Sequence, residues 1–456
     1  MSDSPSRVRR YVLRIALLLV LVVVAVWAAW DYVEARRSAE ILAAIRAAHE
    51  PLTAYDIPWT GLAGADDAGR LYLAAAALVR RPDDWRELAT IRDGLDALAA
   101  TWPPRSPSDT DLAAVERLLE GNRQTLEMLD GAAALDFGGF PPGTDYNYRW
   151  DQLNQVGHIA ALRAAVLALG NDPDAAVSSV ISWLRLSRVY QGELGTMFTG
   201  LRTVEIEKTI PAMLERLRPS PESLGRLDKA LADYEDDTRP ARIAMAERAW
   251  FIQHYWPRYF GFAGPQAMPI SPNNDGPGFR EVFARPVLRR ETNERLRLFA
   301  GIVSAARMRP GLRLLAGLRG LNAGDAKSRF YLGTPAEIVK IYQGYAVGLF
   351  EGIAIERSAR AAIAIERFRQ THHAMPASLA DVAADAGSVL PVDPMTGDAL
   401  KLVGRPDSYI VYSVGDNGKD EGGQIDRPPL AKTAAPGTSK RPAPDWGVRV
   451  RIRNES

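Results

Sequence analysis

Residues 15–30 contain no charged side chain and consist almost entirely of Leu, Val, Ala and Ile, closed by Trp27 and Trp30. A chain with such a run must bury it in protein or in lipid, and that choice constrains everything downstream. With Tyr11, Val12 and Leu13 included, and Arg14 reaching back to the interface, the run is about 20 residues long. That is enough for a helix to cross a hydrocarbon layer of roughly 30 Å. Arg7, Arg9, Arg10 and Arg14 precede it, whereas Asp31 and Glu34 follow before Arg36 and Arg37. The positive-inside rule then predicts a cytoplasmic N-terminus and an external bulk. The expected layout is a cytoplasmic tail at 1–10, a transmembrane anchor at 11–30 and a helical stalk at 31–50. A cleaved signal peptide is the competing reading. Trp27-Ala28-Ala29 makes a poor small-residue cleavage site, however, and the helical pattern continues through 35–48 without a turn. The expected location is the bacterial inner (cytoplasmic) membrane, crossed once, with most of the chain in the periplasm or outside.

The remainder of the 456 residues is long enough for two or three domains, and a hydrophobic content of 47% supplies ample core. A net charge of +1, with Lys and Arg scattered, gives no basic face for nucleic acid. The absence of cysteine excludes disulfides, thiolate catalysis and Cys-based zinc sites.

Residues 51–333 read as an α-helical domain. Leu112, Val115, Leu118, Leu119, Leu126 and Leu129 follow the spacing of one buried helical face. Residues 150–169 and 174–191 predict two helices joined by Gly170-Asn171-Asp172-Pro173, an αα-hairpin. Its pattern, with Leu162, Ala165, Leu169 and Gly170 before Ala175 and Ala176, resembles a tetratricopeptide-type turn. No 34-residue period repeats, so the expectation is irregular TPR-like packing. A second pair, 199–217 and 220–234, is joined across Pro219. Residues 239–259 read as a helix carrying Trp250, Phe251, Tyr255, Trp256 and Tyr259. A Gly/Pro/Asn-rich loop follows at 261–278.

No nucleophile elbow, zinc-protease motif, phosphate loop or dinucleotide fingerprint occurs. The five histidines are His49, His158, His254, His372 and His373. The adjacent pair points about 100° apart on a helix and does not converge on one metal. Glu247 and His254 share one helical face two turns apart, and read as ordinary surface or half-buried residues.

From Thr334 the signals sharpen. Thr334-Pro335-Ala336-Glu337 is a helix start with Thr as N-cap, Pro at the first helical position and Glu closing the capping box. The helical pattern then runs to about Thr371. Gly344, Gly348 and Gly352 recur every fourth residue along it, a spacing that admits close approach of another helix. Glu351, Glu356, Arg357 and Arg360 rule it out as a second span. Ser378 caps a short helical turn. Residues 400–403 and 409–414 read as strands around Gly404-Arg405-Pro406-Asp407, and 448–452 as an edge strand.

The order of motifs here resembles the major pseudopilin of type II secretion. A long helix ends in Arg367-Phe368-Arg369 and His372, and Pro376-Ala377-Ser378-Leu379 follows. A turn at Asp393-Pro394-Met395-Thr396-Gly397 comes next, followed by Leu400 and then Tyr412-Ser413-Val414-Gly415-Asp416-Asn417-Gly418. The likeness covers about 355–426, with a return at Asp445-Trp446. It implies a small α+β module at 334–456, a helix packed on antiparallel strands, with a Pro/Lys/Thr-rich insert at 427–444. It also implies calcium in the acidic loop, with Asp416, Asp420, Asp426 and Asp445 as the metal ligands carried over. Residues 1–20 lack the prepilin cleavage pattern, so the likeness implies reuse of the fold rather than a polymerising subunit. His373 stands where family members often have a helix-stopping glycine.

The fold class expected is therefore mainly α, with an N-terminal transmembrane helix, an irregular helical domain and a C-terminal α+β module. The expected function is non-enzymatic: an interaction or scaffold protein of the bacterial envelope with protein partners, near secretion or pilus-like machinery. The alternative is an envelope hydrolase with its site in 247–278.

Overall fold

The apolar N-terminal run and its sequel form one helix, α1 (Pro5–Ala47). Its side chains from Tyr11 to Val26 are exposed, and none of its most apolar window is buried in protein. By length and composition α1 can cross a membrane. Beyond Trp30 the same helix turns into a packed element, with Asp31, Glu34, Ser38 and Ile45 buried.

The computed structural model describes residues 5–53, 56, 66–80, 109–135, 146–170, 172–189, 196–233, 235, 238–260, 279–321, 334–387, 389–426 and 445–452. After α1 come α2 (Asp66–Leu78), α3 (Asp109–Gly121), α4 (Arg123–Ala133), α5 (Tyr146–Leu169), α6 (Pro173–Val189), α7 (Thr196–Arg216) and α8 (Pro221–Ala232). Then follow α9 (Arg239–Phe260), α10 (Phe279–Ala306), α11 (Gly311–Arg319), α12 (Pro335–His372) and α13 (Leu379–Ala386). Three strands close the chain, β1 (Lys401–Arg405), β2 (Ser408–Ser413) and β3 (Trp446–Arg451). The molecule is mainly helical, with one small antiparallel sheet. Two compact units are each assembled from separate stretches. The first takes Met1–Pro58, Pro240–Arg307 and Gly317–Gln343; the second takes Trp59–Arg239, Met308–Ala316 and Gly344–Ser456.

In the first unit α1 packs along α10. The two run in the same direction: the Trp27 indole donates to the Phe283 carbonyl, Asp31 pairs with Arg285 and Arg289, and Ser38 donates to Asn293. This seam is polar. Asn293, 1% exposed, donates to both the carbonyl and the carboxylate of Glu34. At the far end Glu50 pairs with the fully buried Arg248 of α9 (2.7 Å) and with Arg307 (2.5 Å). Burial pushes the Glu50 carboxyl up, but the two guanidiniums outweigh it and hold it below the usual range. An aromatic cluster completes this unit, with Phe299 against Phe251 and edge-on to Tyr342.

In the second unit α5 and α6 form the antiparallel pair that the Gly-Asn-Asp-Pro turn predicts. Asp172 caps α6 by accepting the Ala175 N–H, and Pro173 occupies the first helical position. Ser220 caps α8 in the same way, accepting from Ser223. The helix expected across Leu112 to Leu129 is instead two, α3 and α4, broken at Asn122. The Asn122 side chain is buried and bonds both the N–H and the carbonyl of Arg80, a demand on the backbone that periodicity does not display.

The long helix α12 starts on the expected capping box: Glu337 N–H donates to the Thr334 hydroxyl, and Thr334 N–H donates to the Glu337 carboxylate. Ile355, Ala359, Ala362, Ile363 and Ile365 lie in one continuous core with Tyr409, Val411, Val448 and Val450 of the sheet and with the apolar faces of α5 to α8. The buried charges of α12 are matched internally. Arg357 pairs with Glu235 and donates to the Val392 carbonyl, and Arg360 spans Asp228 and Glu235. Tyr409 donates to Glu366. The helix ends at His373, whose N–H still bonds Arg369 but whose φ of 53° lies in the left-handed region.

Strand β2 is central and buried at every position, with β1 and β3 antiparallel on either side. Gly447 of β3 is irreplaceable by size, since a Cβ there would lie 2.1 Å from the Val411 carbonyl oxygen. The outer side of β3 meets α7, where the Arg451 N–H donates to Glu215, so the sheet edge is covered rather than left to recruit another strand.

Candidate functional site

The acidic loop is positioned by a residue that the sequence marked only as part of a turn. Asp393 is 1% exposed. One carboxylate oxygen accepts the Met395 N–H (2.7 Å) and the Ser413 hydroxyl (2.6 Å), and the other accepts the Val414 N–H (3.0 Å). The Asp-Pro turn is thus stapled to the last residues of β2, and it fixes where the chain enters Gly415 and Asp416. Gly311 and Leu312 donate in turn to the carbonyls of Pro394 and Met395, holding the turn from its other side.

The loop folds on itself through short-range bonds. Gly418 N–H returns to the Gly415 carbonyl, Lys419 N–H to the Asn417 side chain, and Asn417 donates to Glu421. Gly422 and Gly423 both have positive φ, and Gly423 sits against the Tyr412 ring where a larger residue would press on it. Ile425 then packs with Ile410 and Tyr412, which ties the end of the loop to the sheet.

The four aspartates expected as metal ligands occupy different settings. Asp416 stands half-exposed at the loop entrance. Asp420 is exposed and accepts from the Gly422 N–H (2.9 Å) and the Tyr412 hydroxyl (2.8 Å). These two bonds, the backbone one foremost, hold its carboxyl below the usual range. Asp426 pairs with Arg449 of β3 at 2.7 Å. Asp445 is buried and accepts the Gly423 N–H (2.9 Å) and the Glu421 N–H (3.4 Å). Burial and the neighbouring Glu421 carboxylate push Asp445 up to about 6, against the pull of those two N–H groups. The Tyr412 hydroxyl is raised by burial and by the nearby charges of Asp420 and Asp445.

The carboxylate beside Asp445 is therefore Glu421, which was not among the expected ligands. One of its oxygens is buried without a hydrogen-bond partner among the described residues. Its only signal in the sequence was membership of the acidic stretch. Two adjacent carboxylates, one of them pushed up to about 6, can share a proton or a cation. Among the described residues no three His, Cys, Asp or Glu side chains are grouped to hold a metal ion.

The other expected site, 247–278, is described only at its start. Burial raises the Glu247 carboxyl. Its neighbour Arg248 is buried against Glu50, Phe251 is core, and Trp250 is 47% exposed. The side chains of His254, Tyr255, Trp256, Tyr259 and Phe260, and all of 261–278, lie outside the described residues. Of the remaining histidines, His372 pairs with Asp385 at 2.7 Å and stacks on Phe368. Comparison of the chain with models of protein families, with curated proteins and with solved structures finds no match.

Proposed function

We propose that this chain is a membrane-anchored, extracytoplasmic interaction protein of the bacterial envelope, acting as a scaffold near secretion or pilus-like machinery. The observation that carries the reading is the continuity of α1, whose bare apolar half becomes, without a break, a core helix of the first unit. Trp27 favours an anchor over a cleaved signal. It lies within the apolar half yet already donates to Phe283 and lies under Arg285, so cleavage after Ala29 would remove contacts the folded unit uses. Paired antiparallel helices such as α5 with α6 suit TPR-like protein recognition. The second unit supports the pseudopilin-like reading through a long helix on a three-stranded antiparallel sheet, with an Asp-Pro turn and an acidic loop after the central strand.

Two measurements test this. Protease added to intact spheroplasts should remove a C-terminal tag, and full protection overturns the external assignment. Crosslinking in intact cells should trap the chain repeatedly with the same envelope protein. A chain recovered uncrosslinked, whose purified form hydrolyses an envelope ester or amide, would replace the scaffold reading with an enzymatic one.

Calcium belongs to the same proposal. Asp445 and Glu421 would hold the ion, loop carbonyls freed by Gly422 and Gly423 would add oxygens, and Asp416, Asp420 and Asp426 are the further candidates. The ion would supply structural closure of the loop. Calcium should raise the melting temperature of the full chain in detergent, and Asp445→Asn should remove the shift. An unchanged melting temperature with saturating calcium eliminates the metal.

A further inference from the structure

The seam between α1 and α10 opens, just past the apolar half of α1, into a groove of about 540 Å³. Its lining is divided along the helix axis. Ala29, Trp30 and Val33 form an apolar end next to the span, and Arg37, Arg290, Glu294 and Arg297 form a charged end beyond it. Glu34 also lines the groove, already engaged by Asn293 and Arg37.

Helix direction decides where these arginines point. In an α-helix the Cα–Cβ bonds tilt toward the N-terminus. Because α1 and α10 run the same way, with their N-terminal ends on the side of the span, the side chains of Arg37, Arg290 and Arg297 lean back toward the bilayer. Arg37 lies about 10 Å beyond Trp30 along the axis, and Arg290 lies about 10 Å beyond Phe283, which meets Trp27. The bilayer extends roughly 5–7 Å past each hydrocarbon boundary as headgroup. Arg37 and Arg290 stand within two turns of the Trp30 level and, leaning inward, reach that layer, while Arg297, two turns beyond Arg290, closes the outer end of the groove. Trp30 and Phe283, 40% and 59% exposed, give apolar surface at the same level for the first carbons of an acyl chain.

The charges favour an anion. Three guanidiniums face two carboxylates. Of these, Glu34 is almost fully buried and saturated, and Glu294 is engaged by Arg290 at 2.9 Å. Arg297 is exposed, and among the described residues no hydrogen bond or ion pair engages it. An arginine fork matches phosphate oxygens in a bidentate fashion.

We propose that this groove binds the headgroup phosphate of an anionic phospholipid, which seats the first unit on the membrane surface. The proposal rests on the reading that α1 spans the bilayer, and the two fail differently. Full-length protein in detergent, titrated with short-chain phosphatidylglycerol and followed by native mass spectrometry, should take up one lipid per chain in preference to phosphatidylcholine. Arg290→Gln and Arg297→Gln should each weaken binding roughly fivefold, in line with the contribution of one arginine at a charged membrane surface. Arg46→Gln, on the exposed side of α1 outside the groove, should leave it unchanged. Equal uptake of the two lipids overturns the proposal, as does undiminished binding in the double Arg290→Gln/Arg297→Gln variant. Complete displacement by millimolar inorganic phosphate also overturns it, by making the groove a site for a free anion. Release of the chain from membranes by alkaline carbonate instead overturns the spanning reading, whatever the lipid titration shows.

Discussion

Two helices in this molecule pass the same test for a membrane span, α1 and α12, and they meet opposite fates. The apolar window of α1 has a mean hydropathy of 2.8 and none of it is buried. That of α12 has a mean hydropathy of 1.2 and half of it is buried. The difference lies in their charges. Between Ile15 and Val26 α1 has none, and those side chains stay exposed among the described residues. Helix α12 carries Arg357, Arg360 and Glu366, each with a defined partner, and lipid would leave those charges unsatisfied. Apolarity brings a helix out of water. Its matched charges determine whether it ends in lipid or in a protein core.

The contrast breaks most sharply under an inserted charge. Ile363→Arg places a charge at a fully buried position of α12 and should abolish cooperative thermal unfolding of the second unit, a loss of several kcal/mol. Val22→Arg in α1 should leave that transition where it is and weaken membrane insertion by about 2.5–3.5 kcal/mol, read by carbonate extraction. A comparable effect of both on unfolding would show that α1 also packs in protein. Next in size, Glu235→Ala strips Arg357 and Arg360 of their shared partner and should cost about 3–5 kcal/mol in urea unfolding. A neutral result would mean that the charges of α12 do not decide its placement.

The pH response separates the units further. Folding raises Asp445 from 3.8 to about 6, so its folded form favours the proton. Its contribution to stability is present below about pH 4 and is lost as pH rises to about 6. Glu50 in the first unit is held low, and its contribution acts the other way, lost as pH falls. The melting temperature of the wild type should fall relative to Asp445→Asn between about pH 4 and 6, and parallel curves would refute the assignment. The smallest effect concerns the end of α12. His373→Gly relieves a left-handed residue and should stabilise by about 0.5–1 kcal/mol in the same urea assay.

How much of this was legible depended on the kind of force at work. The long apolar helix α1 needed only apolarity, and the start of α12 only the order Thr, Pro, Ala, Glu, so both were readable. The strands around Pro406-Asp407 were readable for the same reason. The α1–α10 seam was not. Asp31, Glu34, Ser38 and Asn293 carry no apolar periodicity that marks them as buried, because a buried polar seam is recognisable only when both of its sides are known. In the acidic loop the carboxylates were visible but their orientations were not. Glycines at positive φ and a tyrosine hydroxyl turn Asp420 one way, and Glu421 comes to stand beside Asp445. Asp393 was read as a turn residue, and the distant partners that make it a staple lie some twenty positions away in the chain.

The uninterrupted course of α1 has a mechanical consequence. A helix of 43 residues is a rod of about 65 Å. No proline or glycine interrupts it between its exposed apolar half and the seam. Spans tilt to match the thickness of their bilayer. With the seam gripping the other half of the rod, any such tilt swings the first unit through the same angle. Under the proposed insertion of α1, the first unit would be coupled to membrane thickness as a lever is to its handle, and a bilayer that thins or thickens would reorient whatever that unit presents.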